Sequence, residues 1–335
     1  MRPMKRRDLI KAATLSATAL ATSGGSRPAR GGETGQARCR SNAARLARRE
    51  YGKTGVRLSI IGFPGLALSG LEPDRANRLV AQAVERGVNY FDVAPTYGNA
   101  EERLGPALEP YRKNVFLACK TTRRDAEPAA VELNRSLERL RSDYLDLYQL
   151  HAITNVGKDV DAAFAKGGAM EVLTAAKKEG RVRFLGFSAH SVEAALAAMD
   201  RYQFDSVLFP VNFACWYKNG FGPQIMNRAR EKGVARLALK ALARQEWPKD
   251  APRRERYRKC WYQPITDLDE ADLGLRFCLG QPVTAAVPPA AEFLFRPALD
   301  LAMDYAPLSP AQEQELKTLA DKMNPIFPRA KTNSS

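Results

Sequence analysis

The chain has 335 residues, 45% hydrophobic and 27% charged, enough apolar material for one large core or two modest ones and too much for a disordered polymer. Its formal charge of +15 is uneven: residues 1 to 50 hold twelve Lys+Arg against three Asp+Glu, leaving 40 against 34 for the remainder. The excess sits in the N-terminal arm, and no zinc-finger spacing, RNA-binding aromatic signature or helix-turn-helix punctuation accompanies it, so no nucleic-acid partner is expected.

The N-terminal arm comes first. MRPMKRRDLIKAATLSATALATSGG sets Arg6 and Arg7 before Leu9, Ile10 and Lys11, then a weakly apolar run from Ala12 to Ala21 and a Ser/Gly break. The run is too short and too polar for a stable membrane span. It resembles a twin-arginine export signal, which implies the export machinery as a partner and a periplasmic or otherwise exported location. Residues 22 to 49 read as a cleavage region and linker, making residues 1 to 49 the signal segment. Cys39, Cys119, Cys215, Cys260 and Cys278 are widely spaced, without CxxC, so neither a zinc site nor a disulfide framework is indicated and no metal is expected.

From Gly55 short apolar runs alternate with amphipathic segments. The runs are LSIIGF (58–63), VNYFDVA (88–94), VFLACK (115–120), YLDLYQLH (144–151), VRFLGFSA (182–189), SVLFPVNF (206–213), ARLALKAL (235–242) and VTAAVPPA (283–290). Between them, segments such as EPDRANRLVAQAVERG and EPAAVELNRSLERLR place apolar residues at i, i+3, i+4 and i+7, and several end in Gly. Eight strand–helix repeats predict a single-domain (β/α)8 TIM barrel over residues 50–305, followed by a C-terminal helix and tail over 306–335. A doubly wound open sheet is the alternative, but no GxGxxG follows the first strand.

In such a barrel, functional groups gather at the C-terminal ends of strands and in the loops beyond. Asp92 falls at the end of the second strand, Tyr97 in its loop, Lys120 at the end of the third strand and His151 at the end of the fourth. Taken singly each has an ordinary structural reading. Together, an acid, a phenol, an amine and one of only two histidines converge on one rim.

NYFDVAPTYGNAEERLG, the lysine closing VFLACK and the histidine closing DYLDLYQLH resemble the aldo-keto reductases, as do YGKTGVRLSIIGFPG and RVRFLGFSAHS; the resemblance runs from about Tyr51 to Leu301. It implies a barrel that binds NADP or NAD across its mouth and moves a hydride between the dinucleotide and a carbonyl or alcohol substrate (aldehyde, ketone or sugar). Tyr97 would be the general acid/base, Lys120 the cation that lowers its pKa, Asp92 the partner of Lys120, and His151 the group that orients the substrate oxygen. Ser188 and Lys240 fall at cofactor-contacting positions, Lys240 where an aromatic ring is usual. Ala189 replaces the expected asparagine and Leu208 a glutamine, and VPPAAEFLFRPAL carries Arg296 as its single base. An exported barrel that binds a sugar or dinucleotide without turnover is the alternative. In the loop from Ala243 to Asp267, Trp247, Tyr257, Trp261 and Tyr262 could either line a substrate pocket or pack over the barrel.

Overall fold

The structure, a computed structural model, describes residues 45–250 and 255–327. Arg6, Arg7, the apolar run after them and Cys39 lie outside the described residues, as does the tail beyond 327.

Strands Arg48–Glu50 and Arg57–Ser59 form an antiparallel hairpin ahead of the barrel. Its first strand straddles the expected boundary at residue 49, and Leu46 is already buried. The barrel strands follow in chain order: β1 (Phe63–Pro64), β2 (Tyr90–Asp92), β3 (Phe116–Thr121), β4 (Leu145–Ile153), β5 (Val182–Ala189), β6 (Ser206–Pro210), β7 (Ala235–Leu239) and β8 (Ala285–Val287). Each pairs in parallel with the next. A parallel bridge between Ile61 and Ala286 closes the ring, with the Gly62 amide donating to Ala286 O and the Ala286 amide to Ile60 O, both at 2.9 Å. A Cβ on Gly62 would stand 2.5 Å from the Tyr90 ring, so the closing strand needs glycine there.

The strands read as continuous apolar runs because both of their faces are covered; every residue of β3 and of β6 is buried. Helices cover the outside with the expected periodicity. Pro73–Glu85 starts on Pro at its first turn and buries Ala76, Leu79, Val80 and Ala83, while Leu268–Gly280 is capped by the Asp267 carboxylate accepting from the amides of Asp269 and Glu270.

The inside of the barrel is a separate cluster built around Tyr51, Leu58, Tyr90, Phe116, Leu147, Leu208 and Leu237. The Tyr51 and Phe116 rings lie 5.1 Å apart. Because side chains alternate along a strand, β3 sends Phe116, Ala118 and Lys120 to one face at successive heights. Hydrophobic bulk fills the lower part and polar groups reach the C-terminal rim.

Several expected runs divide differently from the strands found; SVLFPVNF and ARLALKAL, for example, outrun β6 and β7, which end at Pro210 and Leu239. In the first run, Leu58 and Ser59 belong to the hairpin and Phe63 to the barrel, since the chain bends between them. In the last run, Pro288 and Pro289 cannot donate to a ladder and β8 stops at Val287. The C-terminal helix is Pro310–Asp321, opened by a Ser309–Gln312 capping box. Lys218 ties its end to the barrel by donating to Asp321 O at 3.0 Å and Met323 O at 2.6 Å. Phe327 then stacks on His190, ring centroids 5.2 Å apart. Among the described residues no helix is long and apolar enough to cross a membrane.

Candidate active site

The rim groups surround one cavity of about 230 Å³ whose lining includes Asp92, Tyr97, Lys120, His151, Ser188 and Lys240. All six side chains expected from the sequence to form the site therefore meet in one place.

Lys120 is 1% exposed and Asp92 4%. The Lys120 ammonium donates to Asp92 Oδ1 and, at 2.9 Å, to Val93 O. Asp92 Oδ2 accepts from the Tyr90 hydroxyl at 3.1 Å and from Gln149 Nε2 at 3.3 Å. These partners follow from the strand period, Tyr90 lying two residues before Asp92 and Gln149 two before His151. Three partners thus compensate the buried carboxylate, and Val93 O adds an acceptor for the ammonium, which a buried ion pair requires if it is not to destabilise the fold.

Lys120 Nζ lies 5.3 Å from the centroid of the Tyr97 ring, and the His151 ring meets Tyr97 edge-on at 6.0 Å and 83°. Burial works against the Lys120 ammonium, yet the Asp92 carboxylate, and the Tyr97 phenolate where it forms, outweigh it and hold the pKa above its ordinary value. Lys120 is therefore a permanent cation near neutral pH. For Tyr97 the net direction is upward: burial raises the phenol and Lys120 only opposes the rise. Lys120 lowers the phenol as expected, but desolvation of the phenolate is the larger effect. The phenol remains protonated at neutral pH, the form that can donate.

His151 is held neutral down to about 2, first by burial and then by the charges of Lys120, Arg124 and Lys240 and by the neighbouring His190. Its Nδ1 is buried without a hydrogen-bond partner among the described residues. The strand does not end at His151 as expected but continues to Ile153 through an irregularity, with Ala152 at φ 53° and a register shift against β5. A bulge of this kind re-aims the side chain beside it. Two groups hold it: Ser188 Oγ accepts from the Ala152 amide at 2.6 Å, and Arg124 donates to His151 O at 2.7 Å while paired with Asp159. Ser188 thus supports the His151 bulge as well as lining the cavity.

The lining also includes Leu208, Leu239, Val287, Trp261 and Tyr262. The even choice for the aromatic loop resolves by residue: Trp261 and Tyr262 line the cavity, whereas Trp247 and Tyr257 pack together at 5.5 Å and Tyr257 against Phe293 at 5.6 Å. Lys240 sits just past β7 at φ 62°. Lys259 and His190 also face the cavity, Lys259 without a sequence signal to mark it. Arg296 is bound to Glu292 at 2.9 Å in an i,i+4 pair, and Glu292 also holds Arg75. No cluster of metal-ligating residues occurs among the described residues.

An eight-stranded parallel barrel with an acid, an ammonium, a phenol and a neutral imidazole at its C-terminal rim defines the class of barrel enzyme to which this chain compares. The aldo/keto reductase family profile matches residues 61–258, more than half the chain, and the chain belongs to that family. An uncharacterized oxidoreductase, YqkF, of Bacillus subtilis is 31% identical over 157 residues, 43% of this chain and 49% of that protein. L-galactose dehydrogenase of Arabidopsis thaliana is 30% identical over 168 residues, 46% of this chain and 51% of that one. The chain thus spans about half the length of these curated relatives. The aldo-keto reductase AKR11C1 of Bacillus halodurans shares the fold with a TM-score of 0.64 at 22% identity, over 86% of this chain and 99% of that chain.

Proposed function

We propose that the chain is an NAD(P)-dependent oxidoreductase that interconverts a carbonyl compound and its alcohol. The observation that carries this reading is the buried Asp92–Lys120 pair beneath the Tyr97 ring, with a neutral His151 edge-on to that ring in the same cavity.

A nicotinamide dinucleotide, when bound, supplies or accepts the hydride. The cavity fits its flat ring: Leu208, Leu239 and Val287 give an apolar wall, Trp261 an aromatic face, and His190 Nε2 is buried without a hydrogen-bond partner among the described residues. Ser188, whose oxygen is engaged by Ala152, keeps its hydroxyl proton for a carboxamide oxygen. Negative charge grows on the substrate oxygen during reduction, and Tyr97 donates its phenolic proton there. Lys120 then meets the phenolate that forms, while Asp92, bonded on both oxygens, fixes the ammonium beneath it. His151, uncharged at all ordinary pH values, donates an N–H to the same oxygen and orients the carbonyl. In the oxidative direction the same groups return the proton.

Arg296, the single base in VPPAAEFLFRPAL, is paired with Glu292 and so is not left free for a 2′-phosphate; NAD and NADP both stand as candidates. The arm with Arg6 and Arg7 supports an exported enzyme, folded before it crosses the membrane. The test is a fluorescence titration of the full chain with NADH and NADPH, followed by energy transfer from tryptophan. Micromolar binding of either is the result expected; binding of neither at millimolar concentration would remove the reading.

A further inference from the structure

The cavity has a charge imbalance. Among its lining residues Lys120, Lys240 and Lys259 are cations and Asp92 is the single carboxylate. Asp92 is taken up by Lys120, Tyr90 and Gln149, and Lys259 donates to Ala67 O at 2.8 Å. Lys240 is different. Its ammonium has no oxygen acceptor and no ion pair among the described residues, and lies over the Trp261 ring at 5.3 Å and the Tyr262 ring at 5.8 Å. Those ring faces hold the ammonium at the cavity wall without neutralising it.

The backbone that places Lys240 is costly for a side-chain-bearing residue. At φ 62° it occupies the left-handed region that glycine favours, and Ala243 N donating to Lys240 O at 2.9 Å and Val211 N donating to Leu239 O at 3.1 Å hold the turn. A mere surface lysine needs no such turn. His190 Nε2, also unpartnered among the described residues, faces the same cavity.

Resting on the reductase reading above, we infer that Lys240 anchors a carboxylate of the substrate, so that the preferred carbonyl compounds are aldehydo or keto acids. A ring-stacking role toward the cofactor, expected from the resemblance, needs a flat face that an ammonium lacks; Trp261 supplies the face and Lys240 the charge. The cavity that Lys240 lines is the one that holds Tyr97 and His151, and its volume suits a small acid with its carbonyl at the polar rim and its carboxylate at the aromatic side. An oxyanion of the dinucleotide itself could meet the same ammonium, and the experiment separates the two sources.

The full chain is first titrated with benzoate and with benzamide in the absence of any dinucleotide, read by tryptophan fluorescence, to which Trp261 contributes. The wild type is expected to bind benzoate about 10- to 100-fold more tightly, the range of a charge-assisted hydrogen bond. Lys240→Met abolishes that preference and Lys240→Arg retains much of it. In turnover, the kcat/KM ratio for 4-carboxybenzaldehyde over 4-nitrobenzaldehyde falls by a similar factor in Lys240→Met, through KM. Equal binding of benzoate and benzamide by the wild type, or no binding of either, overturns the inference. So does a Lys240→Met variant that loses dinucleotide affinity while keeping the benzoate preference, which would assign Lys240 to a cofactor phosphate. The failures are distinguishable. A Lys240-dependent benzoate site in a protein that reduces nothing sinks the reductase reading alone, and reduction of 4-nitrobenzaldehyde with no carboxylate preference sinks the anchor alone.

Discussion

Replacing Lys120 by Met removes the charge and keeps an unbranched side chain of similar length, so the loss is electrostatic rather than a cavity. Asp92 then remains 4% exposed with only Tyr90 and Gln149 to meet its oxygens. Removing one partner of a buried pair strands the other charge, at a cost of about 3–5 kcal/mol. The two surviving hydrogen bonds put this case at the lower end, about 3 kcal/mol. Asp92→Asn leaves the ammonium with Val93 O and an amide oxygen and is expected to cost less, about 1–3 kcal/mol. The double variant has no uncompensated charge, and should be at least about 1 kcal/mol more stable than the sum of the single losses. Urea unfolding with an unchanged m-value measures all three. Turnover should fall sharply with Lys120→Met, since the phenolate that forms on Tyr97 then has no cation beside it. Strict additivity of the two stability losses, or a Lys120→Met enzyme of normal rate, would refute the coupled unit.

Ser188→Ala leaves the Ala152 amide without its 2.6 Å acceptor and should cost about 1–3 kcal/mol while lowering kcat, because the bulge that aims His151 loosens; an enzyme of normal kcat and stability would deny the bulge its role. Stability should also fall on acidification. His151 and His190 are held to about 2 and about 3 against an unfolded value near 6.5, so the unfolded chain binds protons first. That stability is fully present above pH ~6.5 and decreases below it, by about 2–4 kcal/mol for the pair at pH ~5. His190→Gln should flatten the slope of the urea midpoint between those pH values, and an unchanged slope would contradict the assignment. For the arm, changing Arg6 and Arg7 together to Lys should retain folded, active enzyme in the cytoplasm on cell fractionation; continued export would return the arm to a plain basic tail.

The barrel was legible in the sequence because parallel strands covered on both faces read as unbroken apolar runs; VFLACK matches β3 almost residue for residue, whereas SVLFPVNF runs past the end of β6 at Pro210. Boundaries were less legible where apolar character crosses a bend, as in LSIIGF, whose ends serve the hairpin and the barrel. The positions of Asp92, Tyr97, Lys120 and His151 could be read because strand ends in a barrel converge on one rim. Tyr90 and Gln149 were within reach of the same reasoning, one strand period below the rim, but neither residue type signals that it braces a carboxylate. The bulge at Ala152 had no sequence mark, since alanine at positive φ breaks local preference and is imposed by Ser188 and Arg124 from elsewhere. The meeting of Lys240 with Trp261 and Tyr262 depends on how a long loop folds back over the mouth, which local patterning does not encode. The upward net shift of Tyr97 likewise depends on burial, which only the folded chain determines.

The central claim is that Tyr97 delivers the proton that accompanies hydride transfer. Its most direct test is a single-turnover reduction of 4-nitrobenzaldehyde by enzyme loaded with whichever reduced dinucleotide binds, followed by cofactor absorbance, for the wild type and Tyr97→Phe. The ring and its contacts with Lys120 and His151 are retained, so dinucleotide affinity should change little while the rate of the chemical step falls by about 10²- to 10⁴-fold, the range for loss of a general acid. A Tyr97→Phe enzyme that reduces the aldehyde at the wild-type rate would contradict the account.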